Sequence, residues 1–558
     1  MLFTFCPSAL DTSIKFVRAR TVYERFSNVS FQSISRFSSY RHPADPSVSN
    51  PGPHLVCEKA DRETYRQILI NADQHNLEYT FQLLMNIVRR PCLGHFVKKI
   101  EYVHRPISRN QGGGDYVFPE LPYQRDLGAD DMRLLRRAVE NAGFKDEKEE
   151  SIITMLMQKE LNQNLGHYTT AGRHRLGIYH IAPVFITQAI AAIFVSMSPN
   201  LETMAMAQPF DRRGDLEEGE TWAKEFPLVE VFRYANSRPD RCHYLQKLRD
   251  VYLVNREAQR YSDSRFYYDD TDLIAWLKLF NKLPSIESFG IDVLGENEND
   301  GKPICEDRGS NISKIRINHS MVTSSYLLCV MASSKIIKEL QYTIGGRGDA
   351  LDEGYHLFNP KAFIKALSAH KQTLEVLDMD TEMQTYTYPG QLQPGGSYPI
   401  DWDAVGGPGE FDFDLYAEDE LDENMDELKM HRYLTSIWDR NASLKEFGAL
   451  KELSLGIGLL IYFSQGVEMD NAKRSSVMLV DSLPDSLEYL SIRGYRKGVN
   501  VAHDAQVTAL MDRFKSGSLR LKEIKGVYEM IPNGENVENP DQNEHLLWSF
   551  EEIGYSNY

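Results

Sequence analysis

The chain predicts an α/β solenoid of irregular repeats, a curved parallel sheet with helices outside it, and two observations carry that reading. The first is a recurring pattern: an apolar residue, two mostly polar residues, a second apolar residue, a spacer and a third apolar residue. Its ten copies are Phe26/Val29/Phe31, Val97/Ile100/Tyr102, Leu201/Met204/Met206, Leu248/Val251/Leu253, Ile286/Phe289/Ile291, Ile312/Ile315/Ile317, Ile337/Leu340/Tyr342, Leu374/Leu377/Met379, Leu450/Leu453/Leu455 and Leu487/Leu490/Ile492. Leu228/Val231 and Leu521/Ile524 lack the third position. The last two positions alternate, as in a short strand with one buried face, and the first suits the chain's entry into that strand. The second observation is spacing. From Ile286 the copies start 26, 25, 37, 76, 37 and 34 residues apart, the signature of an array whose units complete one another's core.

The segments between copies read as helices. Asp61 to Arg89 places Tyr65, Ile68, Leu69, Leu77, Phe81, Leu84 and Ile87 at helical spacing and closes at Pro91. Met132–Ala142, Ile152–Leu165, Leu273–Phe280, Phe363–Leu367 and Val507–Phe514 are further helices. Strand and helix in alternation imply parallel strands joined by helical crossovers. Ile181–Met197 is about as long as the roughly 17 residues of a minimal membrane span. It carries Pro183, Thr187, Gln188 and Ser196, and reads as a buried helix of the array.

Loops interrupt the array at Pro106–Asp130, Arg256–Asp270 and Thr381–Glu427. Four stretches result: 1–55, a poorly ordered N-terminal segment; 56–380, irregular α/β repeats; 381–429, an acidic insertion read as disordered; and 430–558, C-terminal α/β repeats. Glu410 to Glu427 holds ten acidic residues and no basic one, within a formal net charge of −18. That balance argues against nucleic acid, which needs a basic face, and against anionic membranes. Asp412, Asp414 and Glu423 mimic calcium-loop positions, but Tyr416 and Ala417 stand where an oxygen ligand and a glycine belong. A solvated loop is expected.

Six scattered cysteines form no CxxC pair, so neither a disulfide framework nor a zinc site is expected, and a reducing compartment, cytoplasmic or nuclear, follows. The basic, serine-rich residues 1–42 offer mitochondrial targeting as the alternative. No P-loop, GxSxG, HExxH or dinucleotide fingerprint occurs. Gly345-Gly-Arg-Gly-Asp349 reads as a plain strand-to-helix turn, and His167, His174 and His180 are spaced wrongly for one helical face. No catalysis, cofactor or metal is expected.

The strand pattern resembles the opening of a leucine-rich repeat. Tyr23-Glu-Arg-Phe-Ser-Asn-Val-Ser-Phe31 and Leu83–Arg90 followed by Pro91-Cys-Leu-Gly-His-Phe-Val-Lys-Lys-Ile-Glu-Tyr102 resemble the fungal F-box/leucine-rich-repeat-like proteins. No Leu-Pro-x-Glu-Ile opening accompanies the junction, so the F-box is read as missing or truncated, with 1–55 read as a post-F-box remnant. The resemblance implies substrate recognition for a ubiquitin ligase, and a cullin-RING adaptor as partner only if an F-box lies upstream. The alternative is a scaffold or regulatory repeat protein unrelated to ubiquitination.

The spacer of each copy points away from the core, onto the sheet's other face. The candidate protein-binding residues are therefore Glu101, Tyr252, Arg316, Gln341, Asp378, Ser454 and Ser491, with Ser30, Ala205 and Gly290 in the same position. A protein partner on this strand face is the expected ligand.

Overall fold

The computed structural model describes residues 59–71, 74–103, 125–158, 183–207, 226–254, 269–296, 308–345, 358–385, 433, 435–438, 440, 442–466 and 477–534. All belong to one compact unit, Val56–Trp548. Copy Phe26/Val29/Phe31, the acidic run and the three histidines lie outside the described residues.

Alternating residues build the strands β1 (Gln67–Asn71), β2 (Lys99–Val103), β3 (Thr203–Ala207), β4 (Asp250–Val254), β5 (Asp269–Asp270), β6 (Ser288–Asp292) and β7 (Leu294–Gly295). They continue with β8 (Lys314–Asn318), β9 (Glu339–Thr343), β10 (Val376–Asp380), β11 (Glu452–Gly456), β12 (Tyr489–Arg493) and β13 (Glu523–Lys525). Eleven form one open, wholly parallel sheet in chain order, and β5 pairs separately with β7. Nine of the ten copies are strands of this sheet, and Leu521/Ile524 enters β13. The second and fourth residues of the sheet's five-residue strands, such as Ile315/Ile317 and Leu453/Leu455, are buried in one apolar core with the helices.

The first residue of each copy stands just before its strand, where one backbone exchange recurs. The carbonyls of Lys98, Glu202, Arg249, Glu287, Ser313, Lys338, Glu375, Lys451 and Glu488 each accept two successive N–H groups from the next strand's entrance. Glu202 and Thr203 donate to Lys98, for instance, at 2.9 and 3.0 Å. This locks neighbours at a common starting height. The same positions alternate in charge, with Arg249 on Glu287 at 3.1 Å and Lys451 on Glu375 at 2.6 Å. Exposed pairs of this kind contribute roughly 0–1 kcal/mol each.

Side-chain caps start several helices. Asp272 accepts from Ala275 N at 2.9 Å before α-helix Leu273–Phe280, and Thr323 from Tyr326 N at 3.2 Å before Ser324–Ser333. Asn359 accepts from Ala362 N at 3.0 Å before Pro360–Leu367, where Pro360 sits at the first turn. Each satisfies an otherwise orphan donor.

Four expectations need correction. Asp61–Arg89 is not one helix: β1 divides helix Lys59–Arg66 from helix Gln74–Arg89. Tyr65 and Ile68 fit a helix face as well as the repeat's entry and second strand residue, but Ile68 and Ile70 are buried while Leu69 is 37% exposed, a period of two. Leu228/Val231 lies in helix Pro227–Ser237, where both residues face the core at helical spacing. Thr381–Thr385 is no loop: Glu382–Thr385 forms a 3₁₀ turn, and Glu382, Gln384 and Thr385 are buried. Cys242 is a free thiol, but Cys329 is disulfide-bonded, against the expectation of a reducing compartment without disulfides. Pro183–Ser196 is a helix whose residues Ile186–Ser196 are buried, as read from the sequence. Among the described residues no helix is long and apolar enough to cross a membrane.

Candidate binding face

The pleat sends the first, third and fifth residues of every strand to the face opposite the helices. The sheet register aligns the third residues into one continuous row: Leu69, Glu101, Ala205, Tyr252, Gly290, Arg316, Gln341, Asp378, Ser454, Ser491 and Lys525. All seven predicted binding residues stand in it. Ser30 lies outside the described residues.

The row is more enclosed than a set of solvated spacers. Glu101, Tyr252, Gln341, Asp378, Ser454 and Ser491 are each buried. Strands stand about 4.8 Å apart, and the polar groups are held by partners on the flanking rows. Glu101 accepts from Gln67 Nε2 at 2.6 Å and pairs with Lys99 at 2.7 Å. Arg316 donates through Nε to Glu339 Oε1 at 2.7 Å. Tyr252 donates its hydroxyl to Asp292 Oδ2, and His319 Nδ1 meets Asp292 Oδ1 at 3.2 Å.

Arg493 is the hub on the C-terminal strands. It donates to Asp378 Oδ1 at 2.9 Å and Ser454 Oγ at 3.2 Å, and lies 3.4 Å from Asp380 Oδ2. Burial pushes the Asp380 carboxyl up, against the pull of Arg493 and of a hydrogen bond from the Gly534 N–H. Asp380 Oδ1 is buried with no hydrogen-bond partner. Burial likewise raises Asp250 and Glu452, the latter helped by Glu339 and Glu488.

Next to this hub, the Glu382 carboxylate caps helix Ile457–Gln465. It accepts from Gly458 N at 3.0 Å and Leu459 N at 3.3 Å. A Cβ on Gly456 or Gly458 would overlap the carboxylate, so the Gly-Ile-Gly sequence makes room for it. Burial pushes Glu382 up to about 7 despite those two donors, and nearby Asp380 adds to the rise.

Asp292, His319, Asp380, Glu382 and Arg493 were not among the residues picked from the sequence. Three of them had a usable signal: Asp292, Asp380 and Arg493 are the fifth residues of their strands, two beyond a spacer and so on the same face, whereas His319 stands just after β8. Glu382 had none, because its role depends on a helix about 75 residues later meeting it through space.

Chemically, the face offers carboxylates, guanidinium groups and one carboxylate-oriented imidazole. Asp292 is the one hydrogen-bond partner of the His319 ring among the described residues. No group of His, Cys, Asp or Glu among the described residues is arranged to hold a metal ion. Compared with known proteins, the chain matches no family model and no curated sequence.

Proposed function

We propose that the chain is a leucine-rich-repeat-like solenoid that binds another protein through its polar strand face, serving substrate recognition in an F-box-type ubiquitin ligase system and carrying no catalysis of its own. One observation carries the reading: the third residues of eleven successive strands share one register on the face opposite the helices. Repeat arrays bind through such a face because it offers a long row of independently variable side chains. The buried ion pairs around Arg316 and Arg493 support it by holding that row in fixed rotamers before a partner arrives.

The compartment read from the sequence, cytoplasmic or nuclear, belongs to the same proposal, and the disulfide at Cys329 weighs against it. The test is affinity purification of the full chain beside a Glu101→Lys/Gln341→Lys variant. A protein captured by the wild type and lost from the variant supports a partner on this face. Co-purification of a cullin adaptor supports the ligase reading, whereas a partner without it favours the scaffold. Substrate turnover by the purified chain would remove the non-catalytic reading.

A further inference from the structure

The chain does not leave the sheet at its last strand. At Gly526 the backbone turns with φ +81°, packed so closely on β12 that a Cβ would overlap the Ile492 carbonyl. Ile531 then bridges Arg493 in parallel sense, and its carbonyl accepts the Gly494 N–H at 2.8 Å. Three residues later the Gly534 N–H donates to Asp380 Oδ2 at 2.7 Å.

Those two contacts lie on β12 and β10, two strand steps apart, which is about 9.5 Å at ordinary spacing. Three residues reach about 10 Å only when drawn out. Ile531–Gly534 therefore passes from the end of β12 toward the Asp380 carboxylate of β10, and Pro532 in its middle favours extended backbone. At Gly534 an added Cβ would stand 2.7 Å from the Ile344 carbonyl oxygen just beyond β9, so that position takes glycine alone. Asp380 is buried, with Oδ1 still lacking a donor. The crossing is thus held by a main-chain donor, a carboxylate and a steric limit, none of which requires the bound segment to belong to the same molecule.

We propose that the C-terminal ends of β9–β12 form a docking groove for an extended polypeptide of the pattern apolar–Pro–Asn–Gly. Residues Ile531–Gly534 are its resident occupant, and a partner protein bearing such a segment binds by displacing them. This rests on the protein-binding reading of the strand face and names the kind of segment recognised. A tethered occupant competes at an effective concentration on the order of millimolar, so a free peptide meets an occupied groove in the wild type.

The test uses the full chain and a labelled peptide, Val-Tyr-Glu-Met-Ile-Pro-Asn-Gly, copied from residues 527–534. Gly534→Val expels the resident segment, and the variant is expected to bind the peptide at least tenfold more tightly than wild type. Adding Asp380→Ala should abolish the gain, as should replacing the peptide's last glycine by valine. A folded Gly534→Val chain that binds the peptide no better than wild type overturns the proposal. Should that variant not fold, amide exchange in the wild type decides. The Gly534 amide should be protected at least tenfold over a free peptide, yet exchange at least tenfold faster than Leu490 and Ile492. Exchange as fast as a free peptide means the groove is empty, and exchange as slow as β12 means a fixed closure. Either result sinks the idea. No partner protein is needed, so a failed purification with a positive peptide result removes the partner reading and leaves the groove.

Discussion

Arg493 reaches across β11 to donate to Asp378 at 2.9 Å, joining β12 to β10 although the two strands share no backbone hydrogen bond. Both partners are largely enclosed, with side chains 12% and 9% exposed. Arg493→Ala leaves Asp378 and Asp380 as buried carboxylates without their cation. Breaking a buried pair in this way costs about 3–5 kcal/mol. Urea denaturation should show the loss, and Arg493→Ala/Asp378→Asn should recover part of it.

Gly456 exists for Glu382. Gly456→Ala forces its methyl group into the carboxylate, and overpacking of this kind costs about 1–3 kcal/mol. Glu382→Ala alone strips the cap from helix Ile457–Gln465, at about 1 kcal/mol or more. The double variant should be more stable than the sum of the two losses, because the small side chain at 382 vacates the space. Additive losses in a thermal-melt cycle would show that the clash is relieved elsewhere.

Two buried groups oppose each other as pH changes. Glu382 titrates near 7 in the fold against a usual 4.5. The folded chain keeps that proton longer, so stability present below about 4.5 is lost as pH rises toward 7, on the order of 3 kcal/mol. His370 accepts the Ile337 N–H at 3.2 Å and is held down at about 4 from 6.5 by burial, with Arg308 and Arg440 adding to it. Its contribution is present above 6.5 and is lost as pH falls toward 4. Glu382→Gln removes the first effect alone. Between pH 5 and 7 it should gain on wild type by on the order of 2–3 kcal/mol in denaturant titrations. A difference that stays constant with pH would mean another group titrates.

The residue after β6, β8, β12 and β13 turns left-handed each time: Val293, His319, Gly494 and Gly526, at φ 60°, 50°, 68° and 81°. Gly494→Ala should therefore cost roughly 1–2 kcal/mol in backbone strain. It also crowds Asn533, whose side chain lies against that position. Faster amide exchange at Gly534 than in wild type would follow.

Most of the sheet was readable in the sequence because alternation over five residues is a local signal. Val97/Ile100/Tyr102 and its successors needed no distant information to name strand, face and register. Tyr65/Ile68/Ile70 failed because its pair three apart fits a helix face as well as the repeat's entry and second strand residue, and Leu228/Val231 failed for the same reason. The site was legible only as a row. That Asp378 leans on Arg493, or Glu382 on Gly458, depends on contacts between residues about 75 to 115 positions apart, which no window of periodicity spans.

From β2 to β13 the strand entrances carry Lys98, Glu202, Arg249, Glu287, Ser313, Lys338, Glu375, Lys451, Glu488 and Lys522 in succession, plus and minus by turns apart from the serine, whereas Arg66 before β1 shares the sign of Lys98. Excising the unit of Glu202 would seat Lys98 beside Arg249, and the same holds for most others. Loss of two consecutive units would bring opposite signs together again. Gene duplication or shortening would then be tolerated best in even steps, with the Ser313 unit the natural exception.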